Sequence, residues 1–178
     1  MSRTNRVLSV IIMILISFTI PGYLFAGEAG SVRATASFEG NGIVFALEDD
    51  KVFMVGAWGG VMTIENRKGT LDATTLVCPG TLLANLKTGM RLGDGRCIIT
   101  DLDGDKVFAL WHCTGKKTTC NGSFTITAGT GKFKGITGKG AMNTRIVASG
   151  TIELVGKEVY GKVSAGVAVW PELYYSIP

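Results

Sequence analysis

Glycine punctuates this chain from end to end: 25 of its 178 residues are Gly, spread along the sequence instead of gathered in a linker. That is twice the usual share of about 7%, and glycine weakens the interior of a helix by losing the most backbone freedom on folding. Between the glycines lie short β-branched and aromatic runs. They mark candidate strands at 32–38, 42–47, 51–58, 60–66, 70–77, 81–87, 96–101, 106–113, 122–128, 140–149, 150–155 and 157–169. Gly56, Gly59 and Gly60 interrupt an otherwise continuous run, so some of these are halves of one bulged strand and eight to ten remain. No stretch keeps an i, i+3, i+4, i+7 apolar stripe for three turns. The sequence therefore predicts an all-β fold, a single antiparallel β-barrel with little helix.

Two segments alternate with a period of two. Phe124, Ile126 and Ala128 alternate with Ser123, Thr125 and Thr127, and Val159, Val163, Ala165, Val167 and Val169 alternate with polar or small residues. Two others are apolar on both faces: Val52, Met54 and Trp58 oppose Phe53, Val55 and Ala57, while Val107, Ala109 and Trp111 oppose Phe108 and Leu110. A sheet with one wet face does not tolerate that pattern, so something has to cover the second face. A loop or the C-terminal tail is one cover; a subunit interface is the other, and it predicts a homo-oligomer.

The first residues set the compartment. Arg3 and Arg6 precede an apolar run from Val7 to Ile20, which Pro21 and Gly22 break ahead of Ala26, Gly27 and Ala29. This is the layout of a signal peptide, and the run is shorter than the roughly 20 residues needed to span a bilayer. Residues 1–26 read as the signal peptide, cleaved after Ala26 or Ala29, and 27–178 as one barrel domain. The product is then periplasmic or secreted and not membrane-spanning once processed. Losing two Arg and no acid lowers the net charge from +4 to +2, which is no nucleic-acid footprint.

All four cysteines lie in the mature part, and an even count in an oxidising compartment favours disulfides. Zinc is a weak rival, with one His and no Cys-x-x-Cys pair. Register counting selects Cys113–Cys120, opposed if Lys116-Lys117 is a two-residue turn, and Cys78–Cys97, opposed across a turn centred on Lys87-Thr88. An Asp103-Gly104 turn would set Cys97 against Leu110, out of register with Cys113.

Other motifs have stronger structural readings than chemical ones. Asp101, Asp103 and Asp105 have the spacing of a calcium loop, but Lys106 stands where Gly is required and His112 where a bidentate Glu belongs. The same residues read as a hairpin turn at Asp103-Gly104. Lys132 and Lys134 among glycines lack the ending of a phosphate loop. His112 and Cys113 are adjacent in a strand and point to opposite faces, which disfavours a nucleophile pair. Glu39, Glu48, Glu65, Asp72 and Glu153 flank or occupy strands, and an inward one would have a perturbed pKa; their simpler role is solvation of the outer face. No catalytic, cofactor-binding or metal-binding residue is assigned.

The run from Phe124 to Gly140 contains Gly129-Thr-Gly131-Lys-Phe133-Lys-Gly135-Ile-Thr-Gly138, in which Phe133 and Ile136 can cap a barrel end. It resembles the turn shared by the allene oxide cyclase-like and dirigent-like barrels. The resemblance implies an exported bacterial member with an allene oxide cyclase-like or calycin-like barrel over most of residues 30–170. Cyclases of that group isomerise a fatty-acid-derived epoxide inside the barrel, and dirigent proteins steer the coupling of phenolic radicals, both as oligomers. Their functional residues lie outside the turn, so none is carried over. Three functions follow: a non-catalytic barrel that binds a small apolar ligand, or a protein through its outer face; an isomerase or cyclase for an apolar substrate; and a structural, envelope-associated protein. Enzyme activity stays open, with the weight on a non-catalytic, cofactor-free protein.

Overall fold

The structure, a computed structural model, describes residues 27–48, 50–66, 71–148, 152–155 and 158–178, the side chains of 147–163 excepted. The signal-peptide reading of 1–26 and the side chain of Glu153 fall outside these residues. Nine strands follow in order: β1 (Glu28–Ala46), β2 (Lys51–Ile64), β3 (Thr74–Asn85), β4 (Met90–Thr100), β5 (Lys106–Lys116), β6 (Thr119–Gly129), β7 (Thr137–Ala148), β8 (Ile152–Val155) and β9 (Glu158–Ile177). One turn of 3-10 helix, Gly131–Phe133, lies between β6 and β7.

Each strand from β1 to β7 pairs antiparallel with the next, β7 pairs with β9, and β9 returns to β1. The result is a closed eight-stranded barrel. β8 pairs only with the start of β9, from Ile152↔Gly161 to Val155↔Glu158, beyond the last β7 pairing at Ala148↔Ala165, and so prolongs the line of β7. Register shifts bend the wall at Val32/Ala34 and Gly40/Asn41 between β1 and β9, and at Phe108/Ala109 between β5 and β6. Such bulges supply the curvature that closure requires.

The half-strands 51–58 and 60–66 merge as expected into β2, which ends at Ile64, but without the expected bulge, since its registers with β1 and β3 run unbroken through Gly56, Gly59 and Gly60; 32–38 and 42–47 are likewise both in β1. β4 begins six residues before the expected 96, because Gly93 and Gly95 sit inside it with their faces turned to the interior. The β4–β5 connection is also longer than a two-residue turn. The Asp101 carboxylate accepts the N–H groups of Asp103 and Asp105 and Gly104 adopts φ +88°, so the connection spans 101–105 and Cys97 faces Ala109, not Leu110.

Two face assignments change as well. Ala128 is exposed, since the bulge pairs Phe108 with Ala128 but Ala109 with Ile126 and turns one residue outward. In β9 the period of two holds with the opposite face inside: Ser164, Gly166, Ala168 and Trp170 are buried while Val167 is exposed. Bulky side chains from other strands already fill that space. A Cβ on Gly166 would lie 2.9 Å from the Phe38 ring.

The most tightly packed end of the core holds Phe124, Phe133, Ile136, Leu71, Leu173 and Trp170. Phe124 and Trp170 meet edge to face at 5.2 Å, a geometry worth about 0.5–1.5 kcal/mol beyond area burial. Phe133 and Ile136 of the Gly-rich turn are buried there and close this end of the barrel.

Candidate functional site

Toward the opposite end the described side chains leave a cavity. This cavity, of about 80 Å³, is floored by Trp58, Trp111, Trp170 and both cystines, with Phe38, Leu82, Arg91 and Ile146 around it. The floor residues Trp170, Cys97, Cys113 and Cys120 are buried, whereas these four surrounding residues are half-buried, so the cavity opens past them. All three tryptophans of the chain line it.

Glycines opposite the indoles make this floor possible. Trp58 is paired with Gly40 and Trp111 with Gly95. A Cβ on Gly40 would lie 2.6 Å from Trp58 Nε1, and one on Gly95 would lie 2.7 Å from Trp111 Nε1. Without side chains there, the rings lie flat along the wall and meet each other edge to face at 5.3 Å.

The cystines fix the same region. Cys78 and Cys97 join β3 to β4 with Cα atoms 4.0 Å apart, and the flanking pairs Val77↔Ile98 and Gly80↔Gly95 put them face to face. Cys113 and Cys120 join β5 to β6 with Cα atoms 5.4 Å apart, but not as opposed residues. The turn is Lys117-Thr118, with Lys117 at φ +56°, so Cys113 faces Gly122 and the bridge runs diagonally. Glycine opposite that cysteine leaves room for the diagonal. Two cystines in one barrel are compatible with an oxidising compartment.

The polar groups around the cavity are mostly donors. Trp58 Nε1 donates to Ser164 Oγ at 3.3 Å and Thr144 Oγ1 donates to the Cys120 carbonyl at 2.7 Å. Trp111 Nε1 and Trp170 Nε1 are buried without an acceptor among the described residues. Arg91 is the one charged residue of the lining among the described residues, and burial lowers its pKa.

The residues singled out by sequence lie elsewhere. His112 is exposed while Cys113 is buried in its cystine, on opposite faces of β5. Glu39 and Glu48 are exposed; Glu65 is exposed and 3.3 Å from Arg33. Asp72 accepts the Ile64 N–H at 2.9 Å. At the closed end, Lys132 Nζ lies 2.6 Å from Asp101 and 2.7 Å from Asp103, and the Lys132 N–H donates to Asp105. The acidic turn thus holds the Gly-rich turn through the lysine's own ammonium. Lys134 is exposed.

Fold and site together define a closed antiparallel barrel with a small, tryptophan-floored interior cavity. No protein-family model matches the chain, and no curated protein matches it. Among solved structures it is similar to the pterocarpan synthase dirigent protein GePTS1, with 10% identity over 85% of this chain and 86% of that one and a TM-score of 0.42.

Proposed function

We propose that this is an exported, non-catalytic barrel, periplasmic or secreted, that binds a small apolar ligand in the tryptophan-floored cavity. The observation that carries the reading is the cavity itself, about 80 Å³ of space walled by three indoles, two cystines and aliphatic side chains. Small barrels of eight strands have interiors just wide enough for side chains or one small ligand. Each CH₂ transferred there from water contributes about 0.8 kcal/mol. A cavity of 150 Å³ holds benzene, so the buried part of this ligand is a short chain or part of a ring. Among the described residues the lining offers no carboxylate, histidine or free thiol to move a proton at neutral pH, which weighs against the isomerase alternative.

Titration with hexanol, read by intrinsic fluorescence, tests the reading, because every tryptophan reports on the cavity. A saturable change is expected in the wild type and is expected to vanish in Ala168→Leu, which fills the space. A wild type that shows no saturable response would overturn the proposal.

The outer face supports a second reading, association with another copy of this chain. Val55, Val77, Ile98 and Leu110 point outward from β2 to β5 and are 44%, 48%, 36% and 40% exposed. Asp94 and Arg96 are exposed on the same face, so it carries both charges, which a second copy related by a twofold axis would be able to pair reciprocally.

A further inference from the structure

We infer that the cavity takes a monoanionic amphiphile, its short apolar body against the tryptophans and its carboxylate, or comparable oxyanion, on Arg91. The inference rests on the cavity being a ligand site and adds the chemistry of the ligand's head.

Arg91 occupies an inward position of β4, paired with Ala84 of β3 and Gly115 of β5, neither of which can neutralise it. It has no hydrogen-bond or ion-pair partner among the described residues. No carboxylate is present in the lining among the described residues, and the nearest acid in sequence, Asp94, is on the outer face. A half-buried guanidinium with no counter-charge bears a desolvation cost, and burial accordingly lowers its pKa. An oxyanion at the guanidinium offsets that cost through charge-assisted, bidentate hydrogen bonds. Among the described residues the lining has one cation and no carboxylate, so a cationic amphiphile is disfavoured.

The test compares three probes of one chain length, hexanoate, hexanol and hexylamine, by tryptophan fluorescence on the purified, oxidised protein. Hexanoate is expected to bind about ten- to hundredfold more tightly than hexanol, the range of a hydrogen bond to a charged group, and hexylamine more weakly than either. In Arg91→Met, which keeps the apolar stem, the preference for hexanoate over hexanol is expected to be lost, the two binding alike. Should that variant fail to fold, the wild-type comparison decides. Equal binding of hexanoate and hexanol to the wild type would overturn the anionic head and leave the cavity reading standing. No binding of any probe would overturn both.

Discussion

Lys132 joins two turns that are 27 residues apart or more in sequence, and its charge state is tied to theirs. The lysine's hydrogen bond to Asp101 holds that carboxyl below the ordinary carboxylate range, aided by the backbone N–H groups of Asp105 and Asp103. The same bond, with a second to Asp103, holds the ammonium above the ordinary lysine range. A carboxyl whose pKa is depressed on folding contributes stability that is present above its unfolded value of 3.8 and is lost as pH falls through the folded value. The raised lysine contributes stability present below 10.5 and lost as pH rises beyond it. Thermal melts in acid should therefore fall less steeply for Lys132→Met than for the wild type, since the variant has already lost the pairing that protonation of Asp101 removes. Parallel acid limbs for the two proteins would show that the lysine does not hold the turn. The calcium-like spacing was visible in the sequence, but the lysine that meets those aspartates lies across a turn whose docking no local pattern reveals.

At the level of elements, the strands were legible, because alternation and glycine punctuation are local. Register was less so. A two-residue turn at Asp103-Gly104 would put Trp111 opposite Arg96, whereas the five-residue connection puts it opposite Gly95. The cavity floor depends on that pairing and on Gly40↔Trp58, which is why glycine facing tryptophan was a usable signal hidden by a one-residue slip. Alternation alone also could not say which face of β9 turns inward, because that depends on how much space Phe38 and its neighbours leave. Both cystines escape these slips: one lies in a register shared with its flanks, the other tolerates a diagonal. The cystines span 19 and 7 residues, and loop-closure entropy assigns about 3 kcal/mol to the longer and about 2 kcal/mol to the shorter. Urea denaturation of Cys78→Ala/Cys97→Ala and of Cys113→Ala/Cys120→Ala should rank them in that order. A reversed order would mean that packing around the sulfur atoms, not chain entropy, sets their contribution.

For the whole molecule, closure decides how it can associate. The β1–β9 pairing closes the ring and leaves β8, paired on one side by β9, as the strand with a free edge among the described residues, so contact over β2 to β5 goes through outward side chains. Those side chains form a row. Val77 faces Ile98 across β3 and β4, and Ile98 faces Phe108 across β4 and β5, so three apolar residues on neighbouring strands make one continuous ridge. Burying such a ridge gains about 25 cal/mol per Å² of apolar surface, and Asp94 beside Arg96 would set its orientation through reciprocal ion pairs. Light scattering at high micromolar concentration is expected to give a mass of at least two chains. Ile98→Lys places a charge at the centre of the ridge and is expected to give the mass of one chain. Ile98 does not line the cavity, so tryptophan emission and hexanol binding of the variant should match the wild type, which separates loss of association from loss of fold. A wild type that stays at one chain would show that this face meets water, or a different protein, and not a second copy.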